Sequence, residues 1–99
     1  MTKIKMLSEE LCEELEDAKK YAERYVEYKV RGQSDTSSAY RKMASDELEH
    51  ATKLHGIIVN EIKAIEGNTT PPQWMLDKWE QTHKWYVEKE AFVKQILNM

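Results

Sequence analysis

The chain has 99 residues, 33% of them charged, with a net charge of -3, three glycines and two prolines. That length suits one small domain, the scarcity of helix breakers favours an all-α chain, and the net acidity excludes the basic face that a nucleic-acid binder needs. A membrane span, which takes about 18 consecutive apolar residues, is absent; "MTKIKM" is too short and polar for a secretory signal; and a lone cysteine, Cys12, excludes a disulfide framework or a cysteine zinc site. A cytoplasmic chain is therefore expected.

Three helices are predicted. Helix A runs from about Leu7 to Arg31. Ser8 with Glu9 and Glu10 can start it, since a hydroxyl accepts a free backbone N–H and acids suit the positive end. Gly32 stops it, because a left-handed C-terminal residue is cheap only for glycine. Helix B follows "GQSD", capped by Ser34 or Asp35, and runs to about Glu66 before Gly67-Asn68. "TTPPQ" starts helix C, from about Pro71 to Leu97: Thr70 can cap, Pro71 needs no N–H, and Gln73 completes a capping box. The short link between two long helices makes A and B an antiparallel hairpin.

The helical spacing marks the buried faces. They are Leu11, Leu15, Ala18, Ala22 and Tyr25 on helix A; Tyr40, Met43, Ala44, Ala51, Leu54, Ile57, Ile58, Ile62 and Ile65 on helix B; Trp79, Tyr86, Val93 and Leu97 on helix C. Polar residues interrupt these stripes. Glu14 lies beside the first, Glu47, His50 and Glu61 fall inside the second, and His83 and Glu90 are interleaved in the third.

A carboxylate in an apolar seam is costly without a counter-charge, and a metal ion is one such counter-charge. Residues three apart on a helix are neighbours, so Glu47 and His50 can hold one ion together, with Glu14 from the facing helix as a second carboxylate. Glu13 and Glu16 are rivals to Glu14, separated from it by less than a turn. Two oxygens and one imidazole suit iron, manganese or zinc. The bland alternative is an acidic stripe facing solvent, with Lys42 and Lys53 as surface partners. "WEQTH" repeats the spacing as Glu80 and His83 but has no partner glutamate, and a packed or rim histidine is the reading there, with a second half-site kept open. His55 is read as surface, Glu61 as a solvated rim or a guide for an entering ion, and Gly56 as a place of close helix approach. Cys12 is given no role. The aromatic strip "WMLDKWEQTHKWY" is read as a cover for the hairpin or cement for an oligomer.

"DELEHA", with Glu47-x-x-His50, resembles the Glu-x-x-His signature of the ferritin-like superfamily, most closely rubrerythrins and bacterioferritins. Glu14 lies 18 residues before Gly32 and Glu47 lies 15 after it, a register similar to the rubrerythrin hairpin. Tyr21, one heptad after Glu14, falls where that family often carries an aromatic. The resemblance covers about half the chain and implies a ferritin-like fold with one half-site per chain. A homodimer, or a multiple of it, would complete a four-helix bundle, with helix C as a third element of a single domain spanning residues 1–99. Glu14, Glu47 and His50 of each copy would surround two metals. Glu47 would bridge, Glu14 and His50 would be terminal ligands, and Tyr21, Tyr25 and Tyr40 would line the site or donate electrons. The implied activity is ferroxidase chemistry, oxidation of Fe(II) by dioxygen or peroxide. In size and layout the chain also resembles encapsulated ferritins, which implies a shell protein as partner, although helix C reaches nearly to Met99 and leaves no tail to dock. No rubredoxin-like cysteine pair is present, which favours simple oxidation over a peroxidase with its own electron relay. A metal-free helical interaction module, binding through the aromatics of helix C, is the competing expectation.

Overall fold

The computed structural model describes residues 2–99, and among them the fold is all-helical: α1 (Thr2–Val30), α2 (Ser34–Glu66) and α3 (Gln73–Leu97). The turn after α1 is built on Gly32, whose φ of 75° lies in the left-handed region. Its N–H donates to the Lys29 carbonyl and the Gln33 N–H to the Tyr28 carbonyl, at 3.1 and 2.9 Å. Those two bonds satisfy carbonyls that the end of α1 leaves free. Ser37 then donates its hydroxyl to the Tyr25 carbonyl at 2.9 Å, tying the two helices beside the turn. At the far end Lys3 meets Glu61 at 2.8 Å, so α1 and α2 run antiparallel along their full length.

The third helix returns alongside α1. Arg41 of α2 donates to the Leu97 carbonyl at 3.3 Å, which places the end of α3 beside the start of α2. The α3 backbone packs closely on α1 and stands off from α2. The result is a rod of 56 × 17 × 16 Å, matching the roughly 50 Å expected of the longest helix at about 1.5 Å per residue.

One core runs the length of the rod. Leu11, Leu15, Ala18 and Ala22 of α1 are fully buried, as are Ala44, Ala51 and Ile58 of α2 and Val93 of α3. Each large apolar side chain removed from water contributes about 1.5–3 kcal/mol.

Several expectations are corrected. α1 begins at Thr2 rather than Leu7, because Ile4 and Leu7 extend the apolar stripe and are buried. Ser8 is consequently a buried mid-helix residue and caps nothing. Neither Ser34 nor Asp35 caps α2, whose N-cap is Gln33 with no side-chain bond. Thr70 and Pro71 lie before α3, which starts at Gln73 behind an N-cap Pro72. Gln73 does not reach back in a capping box; its amide donates forward to Asp77 at 2.9 Å. On α2 the buried line passes through Leu48, which the sequence reading omitted. Met43 and Ile57 are 40% and 43% exposed, and Tyr40, Leu54 and Ile65 are half-buried. On α3 the core also takes Met75 and Thr82, while Trp79 is half-buried. Gly56 is exposed, and a Cβ there would meet nothing within 4 Å, so it serves no close approach between helices of the same chain.

No helix among the described residues is long and apolar enough to cross a membrane.

Candidate metal centre

Glu14 stands on α1 at the edge of the line formed by Leu11, Leu15 and Ala18. Glu47 and His50 stand at the matching edge of the line formed by Ala44, Leu48 and Ala51 on α2. Because the helices are antiparallel with Gly32 at the turn, these edges meet near mid-length of the hairpin. His50 Nδ1 lies 3.7 Å from Glu14 Oε2 and 3.7 Å from Glu47 Oε1. One donor atom from each residue lies within 4.8 Å of the others, and this is the one such group of three or more among the described residues.

The burial is graded. The Glu47 side chain is 19% exposed, Glu14 30% and His50 53%. His50 therefore sits on the outer lip of the hairpin rather than inside its stripe, and the two carboxylates lie beneath it. Neither carboxylate is paired with a lysine or arginine among the described residues; both face the His50 imidazole. Lys42 and Lys53, the surface partners of the bland reading, are engaged by Asp46 and Glu49 instead. The donor set suits a divalent cation: two hard carboxylates and one imidazole, converging from two helices with one side open.

The rivals of Glu14 point elsewhere. Glu13 and Glu16 line a groove between the first halves of α1 and α3, with Cys12, Trp74 and Met75. Cys12 is half-buried, ten residues inside α1, and burial followed by the Glu16 carboxylate pushes its thiol pKa up. Such a thiol is not activated. Glu61 is held by Lys3 and is no free rim acid.

Among the tyrosines, Tyr21 and Tyr40 occupy the same face as the three donors. Their rings are 6.0 Å apart, and Tyr28 stacks on Tyr40 at 5.6 Å with 1° between planes. Tyr25 belongs to the core, 8% exposed under the cations of Lys29 and Arg41, and does not share that face.

A second cluster fills the space between α2 and α3. The ring of His55 stacks on Tyr86 at 4.6 Å and lies 5.1 Å from His83 and 5.5 Å from Trp79. Its Nε2 is buried without a hydrogen-bond partner. Burial first, then the neighbouring His83, hold the His55 pKa below its ordinary value. Tyr86 hydroxyl lies 3.4 Å from Thr52 Oγ1, and burial raises its pKa. Burial disfavours the Glu90 carboxylate, but the Tyr86 hydroxyl and Lys94 outweigh it and keep the pKa low. His55 is thus a packing residue rather than the surface residue expected. The signal was present: it lies four after Ala51 and three before Ile58, on the buried line. Its α3 neighbour is His83, and no carboxylate of Glu80 joins a three-donor group here.

No family model matches the chain, and neither a curated protein nor a solved structure matches it.

Proposed function

We propose that two copies of the chain join their α1–α2 hairpins into a ferritin-like four-helix bundle whose Glu14, Glu47 and His50 bind a pair of iron ions and oxidise Fe(II). The observation that carries this reading is the convergence of two carboxylates and an imidazole, from two helices, within 4.8 Å. Among the described residues no lysine or arginine is paired with those carboxylates, which supports it. One such group supplies too few ligands to satisfy iron, and the open, half-apolar face around it offers room for a second copy's set. Glu47, the least exposed of the three, would be the ligand shared between the ions in this reading, with Glu14 and His50 as terminal ligands.

Fe(II) is the substrate. A pair of ferrous ions supplies two electrons, one from each ion, to dioxygen with two protons to give hydrogen peroxide, or to hydrogen peroxide with two protons to give two waters. The chain's own contribution is positional. The helices hold the carboxylates, whose negative charge favours the ferric product, and the flanking Tyr21, Tyr40, Met43 and Leu54 restrict water. Manganese or zinc would fit the same donors, and elemental analysis of the purified protein separates them from iron.

Fe(II) added anaerobically should bind at about one ion per chain, and admitting air should produce ferric absorbance within seconds. Glu47→Ala and His50→Ala should each abolish both. Wild-type protein that binds no metal would refute this reading. It would instead support a metal-free interaction module, which the 60% exposure of Trp74 and 45% exposure of Phe92 on α3 favour.

A further inference from the structure

α2 carries a seam that its own hairpin leaves partly uncovered. Tyr40, Met43, Glu47, His50, Leu54 and Ile57 follow one another at alternating steps of three and four residues, the spacing of a coiled-coil seam. This line lies beside the buried line of Ala44, Leu48, Ala51, Ile58 and Ile62. Met43 and Ile57 are 40% and 43% exposed. The seam is balanced about its centre: the polar pair Glu47 and His50 is flanked by Met43 and Tyr40 on one side and by Leu54 and Ile57 on the other.

We infer that this seam packs against the same seam of a second copy running antiparallel, about a two-fold axis midway between Glu47 and His50. The inference rests on the dimer proposed above and specifies its register. In that register Glu47 lies opposite the partner's His50, Met43 opposite the partner's Leu54, and Tyr40 opposite the partner's Ile57. Each pair occurs twice by symmetry. Every layer is then either apolar or a carboxylate facing an imidazole. Sliding one copy by a heptad would put Glu47 against the partner's Ile57 and His50 against the partner's Leu54, burying both polar groups without partners. Parallel pairing would set Glu47 against the partner's Glu47, a like-charge contact. On the flank of the seam, Asp46 comes within reach of the partner's Lys53. Both are now held only by single-turn pairs with Lys42 and Glu49, contacts that cost little to exchange. This register therefore brings opposite charges together and avoids the mismatches of the two alternatives.

Cysteine cross-linking tests it, in a Cys12→Ser background under mild oxidation with a chelator present. Positions 43 and 54 are 11 residues apart on one helix, about 16 Å at about 1.5 Å per residue. That exceeds the roughly 7 Å Cα separation a disulfide spans, so only a link between chains is possible. Mixing Met43→Cys protein with Leu54→Cys protein should give a disulfide-linked dimer at least tenfold faster than either protein alone. Circular dichroism confirms that each variant is helical. Equal linking by the single variants, or helical variants that do not link when mixed, would overturn the register. Wild-type protein that binds one iron per chain beside variants that fail to link would refute the register and leave the metal reading standing. Linking in a protein that binds no iron would do the reverse.

Discussion

Replacing His55 by phenylalanine should stabilise the protein. The imidazole lies flat on Tyr86, 17° from parallel, and its buried Nε2 has no partner. A phenyl ring keeps the stacking and removes the orphaned atom. A buried polar atom left unsatisfied costs about 1–3 kcal/mol. His55 is only half-buried, and the phenyl ring is slightly larger, so a gain of about 1 kcal/mol at pH 7.5 is the working figure, a rise of about 4–8 °C in a domain of this size. The pH dependence sharpens the test. Burial first, then the neighbouring His83, depress the folded-state pKa, with Glu90 opposing them. The unfolded histidine titrates near about 6.5. Above that value the neutral ring contributes its full stability. As the pH falls below it, the unfolded chain takes up the proton first and wild-type stability declines. The variant has no proton to take up at that position, so its advantage should widen between pH 7.5 and 5.5. Urea unfolding followed by circular dichroism at the two pH values measures both quantities. A variant less stable than wild type at pH 7.5, or an advantage that does not grow on acidification, would refute the reasoning.

Leu15→Ala should lower stability by about 2–5 kcal/mol, since Leu15 is 0% exposed between α1 and its neighbours; a urea midpoint shift below 1 kcal/mol would show that the core had collapsed around the gap. Gly32→Ala should cost about 1–2 kcal/mol from the backbone alone, because φ is 75° and a Cβ there would meet nothing within 4 Å; the thermal midpoint reports it. Manganese(II) or anaerobic Fe(II) at about 100 times its dissociation constant should add about 2.7 kcal/mol to stability and raise the melting temperature by about 10 °C or more. The Glu14→Ala variant should lose that rise while melting close to the metal-free wild type.

The three helices were legible because their causes are local. Gly32 stops α1 through its own backbone freedom, and Leu11, Leu15, Ala18 and Ala22 recur with the period of a helix that has one dry side. The pairing of Glu14 with Glu47 and His50 was also legible, since a short turn sets two long helices in register. Helix starts were read less well. Ser8 and Thr70 have capping chemistry, but Ile4 and Leu7 prolonged the apolar stripe past the first, and Pro72 took the N-cap position beyond the second.

What the sequence alone determined is which residues share a helix face and where the chain turns, because period and turn chemistry act within a few residues. Only the tertiary structure decided which part of each face stays wet. α3 lies on α1 and leaves one flank of the hairpin open, so Met43, His50 and Ile57 emerge from an otherwise apolar face while His55 is half-buried with its Nε2 enclosed. That choice depends on where a distant helix comes to rest, and no spacing within α2 records which of its stripe residues stay exposed.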